Sequence, residues 1–159
     1  MRVLISGASG LVGSEVARQL SAAGHEPVKL VRRAARRADE VEWNPATGEI
    51  PAKLMDSIDA VVNMAGATTG KIPWTKKYKE ELIASRLDST KTLVSAINQA
   101  SKKPAVLLSG SASGFYGERG DDLVDESTPK GEGFLSDLAA QWEQQANKAQ
   151  TRVVLLRTT

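Results

Sequence analysis

The sequence predicts an α/β protein built on a doubly wound, mainly parallel sheet, and three observations carry that expectation. Short apolar runs alternate with helix-period segments from one end of the 159-residue chain to the other. Strands separated by helices imply right-handed crossovers, hence parallel pairing with helices on both faces. The length suits one domain with one sizeable core, and no internal repeat or low-complexity segment interrupts it.

Val3-Leu4-Ile5 reads as a short buried strand stopped at Gly7. Leu11, Val12, Val16, Ala17 and Leu20 recur at helical spacing, which predicts a helix over 11–23 ended by Gly24. A second strand is expected over 27–31 and a short third over 40–43, followed by the turn residues Asn44-Pro45-Ala46-Thr47-Gly48. The fourth strand, 60–64, runs into Ala65-Gly66. A long helix is predicted over 76–100, with Leu82, Ile83, Leu87, Leu93, Val94 and Ile97 on its apolar stripe. Residues 105–109 form a fifth strand, and 110–133, rich in Gly, Asp and Ser, reads as a loop of more than usual length. A helix over 134–149 and a strand over 153–156 complete the pattern.

Composition removes several classes of function. With no cysteine there is no disulfide framework, thiolate nucleophile or thiolate metal site, and the single histidine, His25, excludes a multi-histidine cluster. A net charge of +2 is too small to argue for a nucleic-acid or membrane partner. The basic run from Arg32 to Arg37 stands alone, without the interleaved aromatics of a nucleic-acid surface. No apolar run approaches the roughly 20 residues that span a bilayer, and Met1 to Gly10 lack the order of a signal peptide. A cytoplasmic protein is expected.

The chemistry is concentrated in Gly7-Ala8-Ser9-Gly10-Leu11-Val12-Gly13, a G-x-x-G-x-x-G pattern placed directly after a strand and directly before a helix. That context is the dinucleotide-binding fingerprint of a Rossmann fold. Gly7 permits the tight turn, Gly10 lets the backbone approach a pyrophosphate, and Gly13 lets helix and strand pack closely. The helix mouth then offers unpaired N–H groups and the positive end of its dipole, so Gly7, Ser9, Gly10, Leu11, Val12 and Gly13 are expected to hold the phosphates.

The end of the second strand bears on which dinucleotide. An NAD-specific fold usually carries an acid there, and an NADP-binding one an arginine nearby. Here Val31 is followed by Arg32 and Arg33, with no acid before Asp39. A planar guanidinium makes bidentate, charge-assisted bonds to a phosphate. NADP is therefore expected, with NAD as second choice.

Together with that turn, Val62-Asn63-Met64-Ala65-Gly66 and the stretch from Ser109 to Gly117 make the chain resemble the short-chain dehydrogenase/reductase superfamily, in its extended, sugar-nucleotide-epimerase-like branch. Ser85-Arg86-Leu87-Asp88-Ser89-Thr90, Asp125-Glu126, Gly133-Phe134-Leu135 and Trp142-Glu143 narrow the likeness to an atypical subgroup, the NAD-dependent epimerase/dehydratase-like proteins, most of whose members lack an assigned substrate. The resemblance covers the whole chain. It implies that Asn63, Ala65 and Gly66 line the cofactor near its adenosine half. It also implies that the fifth strand brings a catalytic serine to the nicotinamide: Ser111 matches best, and Ser109 and Ser113 share its face. Trp43 is read either as a cover for the adenine or as core.

The departures from the superfamily's pattern are as informative. Its usual catalytic pair is Tyr-x-x-x-Lys, followed four residues later by Glu. Register set on Glu143 puts Leu135 at the tyrosine and Ala139 at the lysine. Leu135 has no proton to exchange and Ala139 no charge with which to lower a phenol pKa, so that mechanism is absent. The helical asparagine of the proton relay falls on Arg86, which cannot accept a hydrogen bond but can hold an anion or stabilise developing negative charge. A salt bridge from Arg86 to Glu81 or Asp88 is the plainer alternative. Tyr116 is the remaining hydroxyl near the expected site; as a general acid it would take Arg86 as activator, and otherwise it packs in the loop.

Extended relatives run to roughly twice this length, so residues 1–159 are expected to be the dinucleotide-binding domain of a partial protein whose substrate domain lies beyond them. Two functions fit. One is an NADP(H)-dependent oxidoreductase or epimerase-like enzyme acting on a small molecule, such as a sugar nucleotide or carbonyl compound, through Ser111, Arg86 and either Tyr116 or water. The other is a non-catalytic NADP(H)-binding redox sensor.

Overall fold

The computed structural model describes residues 1–159. Apolar runs too short for helices form six strands: β1 (Arg2–Ser6), β2 (Glu26–Val31), β3 (Glu40–Glu42), β4 (Ala60–Asn63), β5 (Val106–Ala112) and β6 (Arg152–Thr158). The helix-period segments become α1 (Leu11–Ala22), α2 (Lys76–Gln99) and α3 (Phe134–Ala146). Every neighbouring pair of strands is parallel, in the order β3-β2-β1-β4-β5-β6. In that order the direction of winding reverses between β1 and β4, the point beyond whose carboxyl ends open α/β sheets bind ligands in a crevice.

Register decides which side chains share a face. Leu4 pairs with Val28 and Val61, and Val61 with Leu107. These four meet Leu93, Val94 and Ile97 of α2 and Ala146 of α3 in the larger apolar cluster. On the opposite face Val3, Ile5, Ala60 and Val62 pack on Ala17 of α1. Helices therefore cover both sides, as continuous apolar strands require. Each fully buried leucine or isoleucine in these clusters contributes roughly 1.5–3 kcal/mol of transfer free energy.

No helix crosses from β2 to β3, and between β3 and β4 there is only a 3-10 turn at Leu54–Ser57. Two expectations about local structure are corrected. The loop expected over 110–133 begins too early. β5 continues through Gly110, Ser111 and Ala112, which pair with Leu156, Arg157 and Thr158 of β6, and a 3-10 turn, Ser113–Tyr116, follows. Small residues carry little strand propensity of their own, and the ladder to β6 holds them extended. α3 stops at Ala146 rather than reaching 149. Beyond it Asn98 of α2 bonds both to the Lys148 carbonyl and to the Gln150 N–H, closing the chain into a turn.

Candidate functional site

The glycine turn sits at the reversal point, and its three glycines do different work. Gly7 has φ +71°, and a Cβ there would lie 2.5 Å from the Met64 carbonyl oxygen. A Cβ on Gly13 would lie 2.3 Å from the Gly7 oxygen. Both positions are dictated by the protein's own packing. Gly10 is not: its φ is −79°, and a Cβ would meet only the Gly7 oxygen, at 3.3 Å. What glycine leaves at residue 10 is bare backbone on the outside.

The first backbone bond into α1 runs from Ser14 N–H to the Gly10 carbonyl, so the N–H groups of Leu11, Val12 and Gly13 have no acceptor within the protein. Ser9 and Gly10 are exposed beside them, and Leu11, 90% exposed, stands uncovered at the helix mouth. Unpaired amides, the positive dipole end and an open approach over Gly10 fit a pyrophosphate.

The arginine loop after β2 divides the two candidate residues. Arg33 Nη1 and Nη2 donate to the two carboxylate oxygens of Glu40, each at 2.8 Å, so its charge is already matched. Arg32 is exposed, forms no ion pair, and lines an open hollow with Glu42, Trp43, Asn44 and Glu49. Trp43 borders that hollow but is only 5% exposed, with its body in the larger apolar cluster. Its packing role is accounted for by the fold itself.

At the other side of the crevice Asn63 is turned inward. Its Oδ1 accepts from Ser6 Oγ at 2.6 Å, and its Nδ2 donates to Thr90 Oγ1 at 2.8 Å. Thr90 Oγ1 also accepts from Trp142 Nε1 at 2.9 Å and donates to the Arg86 carbonyl. This fully satisfied chain of polar groups ties β1 and β4 to α2 and α3. It uses up the Asn63 side chain, leaving the backbone of Ala65 and the exposed Gly66 as that segment's contribution to the crevice. Trp142 lies over Gly110, where an added Cβ would come within 2.8 Å of its ring. Arg86 makes no salt bridge to Glu81 or Asp88.

The hydroxyls at the end of β5 meet an ion pair that sequence reasoning missed. Ser111 Oγ donates to Glu143 Oε1 at 2.6 Å, and Arg157 embraces the same carboxylate from Nε and Nη2 at 2.7 and 2.9 Å. Arg157 Nη1 donates to Tyr116 Oη at 3.0 Å, and its guanidinium lies 3.7 Å from the Phe115 ring centroid. The cation beside Tyr116 is therefore Arg157, not the expected Arg86. Ser109 is wholly buried, its Oγ bonded to the Gly110 carbonyl. Glu143 entered the sequence reasoning only as a register marker and motif residue, and Arg157 was given no role there. A signal was present: Leu138, Ala139, Trp142, Glu143 and Ala146 share the buried face of α3, and a carboxylate there needs a partner.

Burial pushes the Glu143 carboxyl up, but the hydrogen bonds from Arg157 and Ser111 outweigh it and hold the group below its ordinary value. A depressed carboxyl stabilises the fold above its unfolded pKa, and that stability disappears as pH falls through the folded value. Wild type and Glu143→Gln are thus expected to differ most near neutral pH, with the gap narrowing as pH falls below the ordinary glutamate value of about 4.3. Urea midpoints measured across that range check it; a gap constant with pH contradicts it.

Leu135 is 38% exposed at the start of α3, against Gly114, and Ala139 is buried. No helix of the structure is long and apolar enough to cross a membrane.

A six-stranded parallel sheet in this order, with a glycine turn at its reversal point, defines a Rossmann-type domain. The chain belongs to the NAD-dependent epimerase/dehydratase family, whose model matches residues 3–159. It is 40% identical over 159 residues to an epimerase family protein of Mycobacterium bovis, covering 98% of this chain and 52% of the relative. An epimerase family protein of Staphylococcus haemolyticus is 35% identical over 168 residues, covering 97% and 53%. The human epimerase family protein SDR39U1 (isoform 2), solved with NADPH, superposes with a TM-score of 0.85 at 30% identity, over 99% of this chain and 53% of that one. A nucleoside-diphosphate sugar epimerase from Corynebacterium glutamicum gives 0.85 at 31%, over 99% and 33%. The chain spans about half the length of the curated relatives it matches.

Proposed function

We propose that residues 1–159 are the cofactor-holding part of an NADP(H)-dependent oxidoreductase or epimerase-like enzyme. The observation that carries this reading is the row of partnerless amides at Leu11, Val12 and Gly13 facing the open side of Gly10. The residues that would hold the dinucleotide are Gly7, Ser9, Gly10, Leu11, Val12 and Gly13 at the phosphates, Arg32 at a ribose phosphate, and the backbone of Ala65 and Gly66 along the crevice. The human relative solved with NADPH supports the choice of NADP. When bound, the nicotinamide supplies hydride exchange with a substrate carbonyl or carbinol carbon.

The protein's own groups have opposite proton assignments. Ser111 spends its proton on Glu143, so toward a substrate its oxygen can only accept. Tyr116 Oη receives a bond from Arg157 and donates none, which leaves its proton free. In this reading Tyr116 or water is the proton donor, Ser111 orients the substrate hydroxyl, and Arg86 supplies positive charge. Fluorescence titration with NADPH and NADH at fixed salt tests the binding, and NADPH oxidation over a panel of carbonyl compounds tests the chemistry. Activity lost in both Ser111→Ala and Arg86→Ala supports it, and no affinity for either dinucleotide overturns it.

A second reading, a redox sensor that binds NADP(H) without turnover, is favoured by Leu135 and Ala139 in place of the tyrosine and lysine. Tight binding with no oxidation on any panel member would select it.

The two arginines make a separate prediction. Arg32→Ala is expected to weaken NADPH about tenfold relative to NADH, the loss of one charge-assisted phosphate contact. Arg33→Ala should change that ratio far less, because Glu40 already neutralises Arg33. Equal effects of the two variants would remove Arg32 from this role.

A further inference from the structure

Arg86 carries a full positive charge with no acidic side chain in ion-pair contact. Of its five N–H donors, one is used, from Nη1 to the Leu82 carbonyl at 3.1 Å. No buried side-chain nitrogen or oxygen in the protein lacks a partner. The unmatched Nε and Nη2 of Arg86 are therefore not sealed in, and they reach the surface.

The surroundings aim that open edge. A Cβ on exposed Gly66 would lie 3.1 Å from Arg86 Cζ, so glycine at this place after β4 is what lets the guanidinium stand against the backbone. On its other side Cζ is 5.3 Å from the Trp142 ring centroid, and Trp142 is itself pinned by Thr90 and laid over Gly110 of β5. The fork thus stands between Gly66, after β4, and Trp142, over β5, with no protein carboxylate paired to it. Partial burial lowers the guanidinium below its ordinary value. A half-dehydrated cation without a counter-charge is costly to keep, and a planar anion meeting the free edge would relieve that cost.

We propose that Arg86 is a carboxylate receptor, a second anion subsite built from other residues than those of the glycine turn, so that the substrate is an acid presenting its carboxylate edge-on between Gly66 and Trp142. The planar fork matches the two-oxygen edge of a carboxylate, and the phosphate arm of the test below separates that anion from a phosphate, which the same fork can also hold. The inference rests on the reading of this crevice as the substrate and cofactor site.

The test follows the Arg86 Nε–H resonance of the full-length protein, labelled with nitrogen-15, during titration with sodium acetate against sodium chloride at matched ionic strength. A saturable shift specific to acetate is expected. In Arg86→Gln the acetate response elsewhere in the crevice should weaken about tenfold or more, and Arg86→Lys, which keeps the charge and loses the fork, should not restore it. Thermal melts establish that both variants fold, and NADPH affinity should stay within about twofold of wild type, since the phosphates would be held by the backbone amides of residues 11–13 and not by the Arg86 side chain. The proposal is overturned by the absence of a saturable shift, by an unchanged response in Arg86→Gln, or by inorganic phosphate binding more tightly than acetate. It is also overturned if Arg86→Gln loses NADPH together with acetate, which would make Arg86 a cofactor contact. Failure of wild type to bind NADPH would sink the dinucleotide reading alone, because acetate is titrated without it.

Discussion

Gly13→Ala is expected to disrupt the mouth of α1 and abolish dinucleotide binding, whereas Gly10→Ala keeps the fold and loses only the ligand. The new methyl at residue 13 would sit 2.3 Å from the Gly7 oxygen and 2.9 Å from its carbon. Neither is a side chain that can swing away, so β1 and α1 must separate. Overpacking of this kind costs about 3 kcal/mol, which for a chain of this size lowers Tm by roughly 6–12 °C. At residue 10 the methyl meets one oxygen at 3.3 Å on a backbone with φ −79°. Stability should change by no more than about 1 kcal/mol, the difference between glycine and alanine at an N-cap. Its affinity for NADPH should nevertheless fall at least about tenfold, because the methyl occupies the approach of the phosphates. Thermal melts and fluorescence titrations on the two variants separate the effects. A Gly10→Ala protein that binds like wild type would show that no ligand comes close to this turn.

Glu143→Ala removes the anion that Arg157 and Ser111 share, and it leaves a guanidinium on a side chain only 18% exposed without its counter-charge. Breaking a buried pair from one side costs about 3 kcal/mol, most of it the penalty of the orphaned partner. The double variant Glu143→Leu with Arg157→Met should recover most of that loss, since an apolar pair of similar volume carries no desolvation penalty. In neither variant should NADPH affinity at the glycine turn change much, because the pair lies under the end of β5 and the phosphates lie at the mouth of α1. Urea melts on Glu143→Ala and on the double variant, each against wild type, measure the loss and its recovery. If Glu143→Ala alone proves neutral, the carboxylate is not what holds Arg157 and Tyr116 in place.

How much of this was legible beforehand varies with the kind of residue. Strands β1 and β4 were visible because strands buried on both faces read as short unbroken apolar runs. The end of β5 was not: Gly110, Ser111 and Ala112 look like loop composition, and only pairing with β6 makes them strand. At the site, the place of the glycine turn was readable because the close approaches at Gly7 and Gly13 are backbone constraints that one residue type meets. Arg32 and Arg33 could not be told apart, since their difference lies in Glu40, a residue on the neighbouring strand. Tyr116 and its cation were mismatched for a like reason: Arg157 is 41 residues away in sequence and one hydrogen bond away in space.

By itself the amino-acid sequence determined the layer architecture and the place of the glycine turn, because periodicity and glycine spacing act over a few residues and need no partner. It also determined that the superfamily's Tyr and Lys are absent, a matter of side-chain identity alone. Tertiary structure decided which charges are free and which are spent. Glu40 cancels Arg33, Glu143 cancels Arg157, and nothing cancels Arg86. That outcome depends on which strands and helices lie side by side, since an ion pair forms between neighbours in space whatever their separation along the chain.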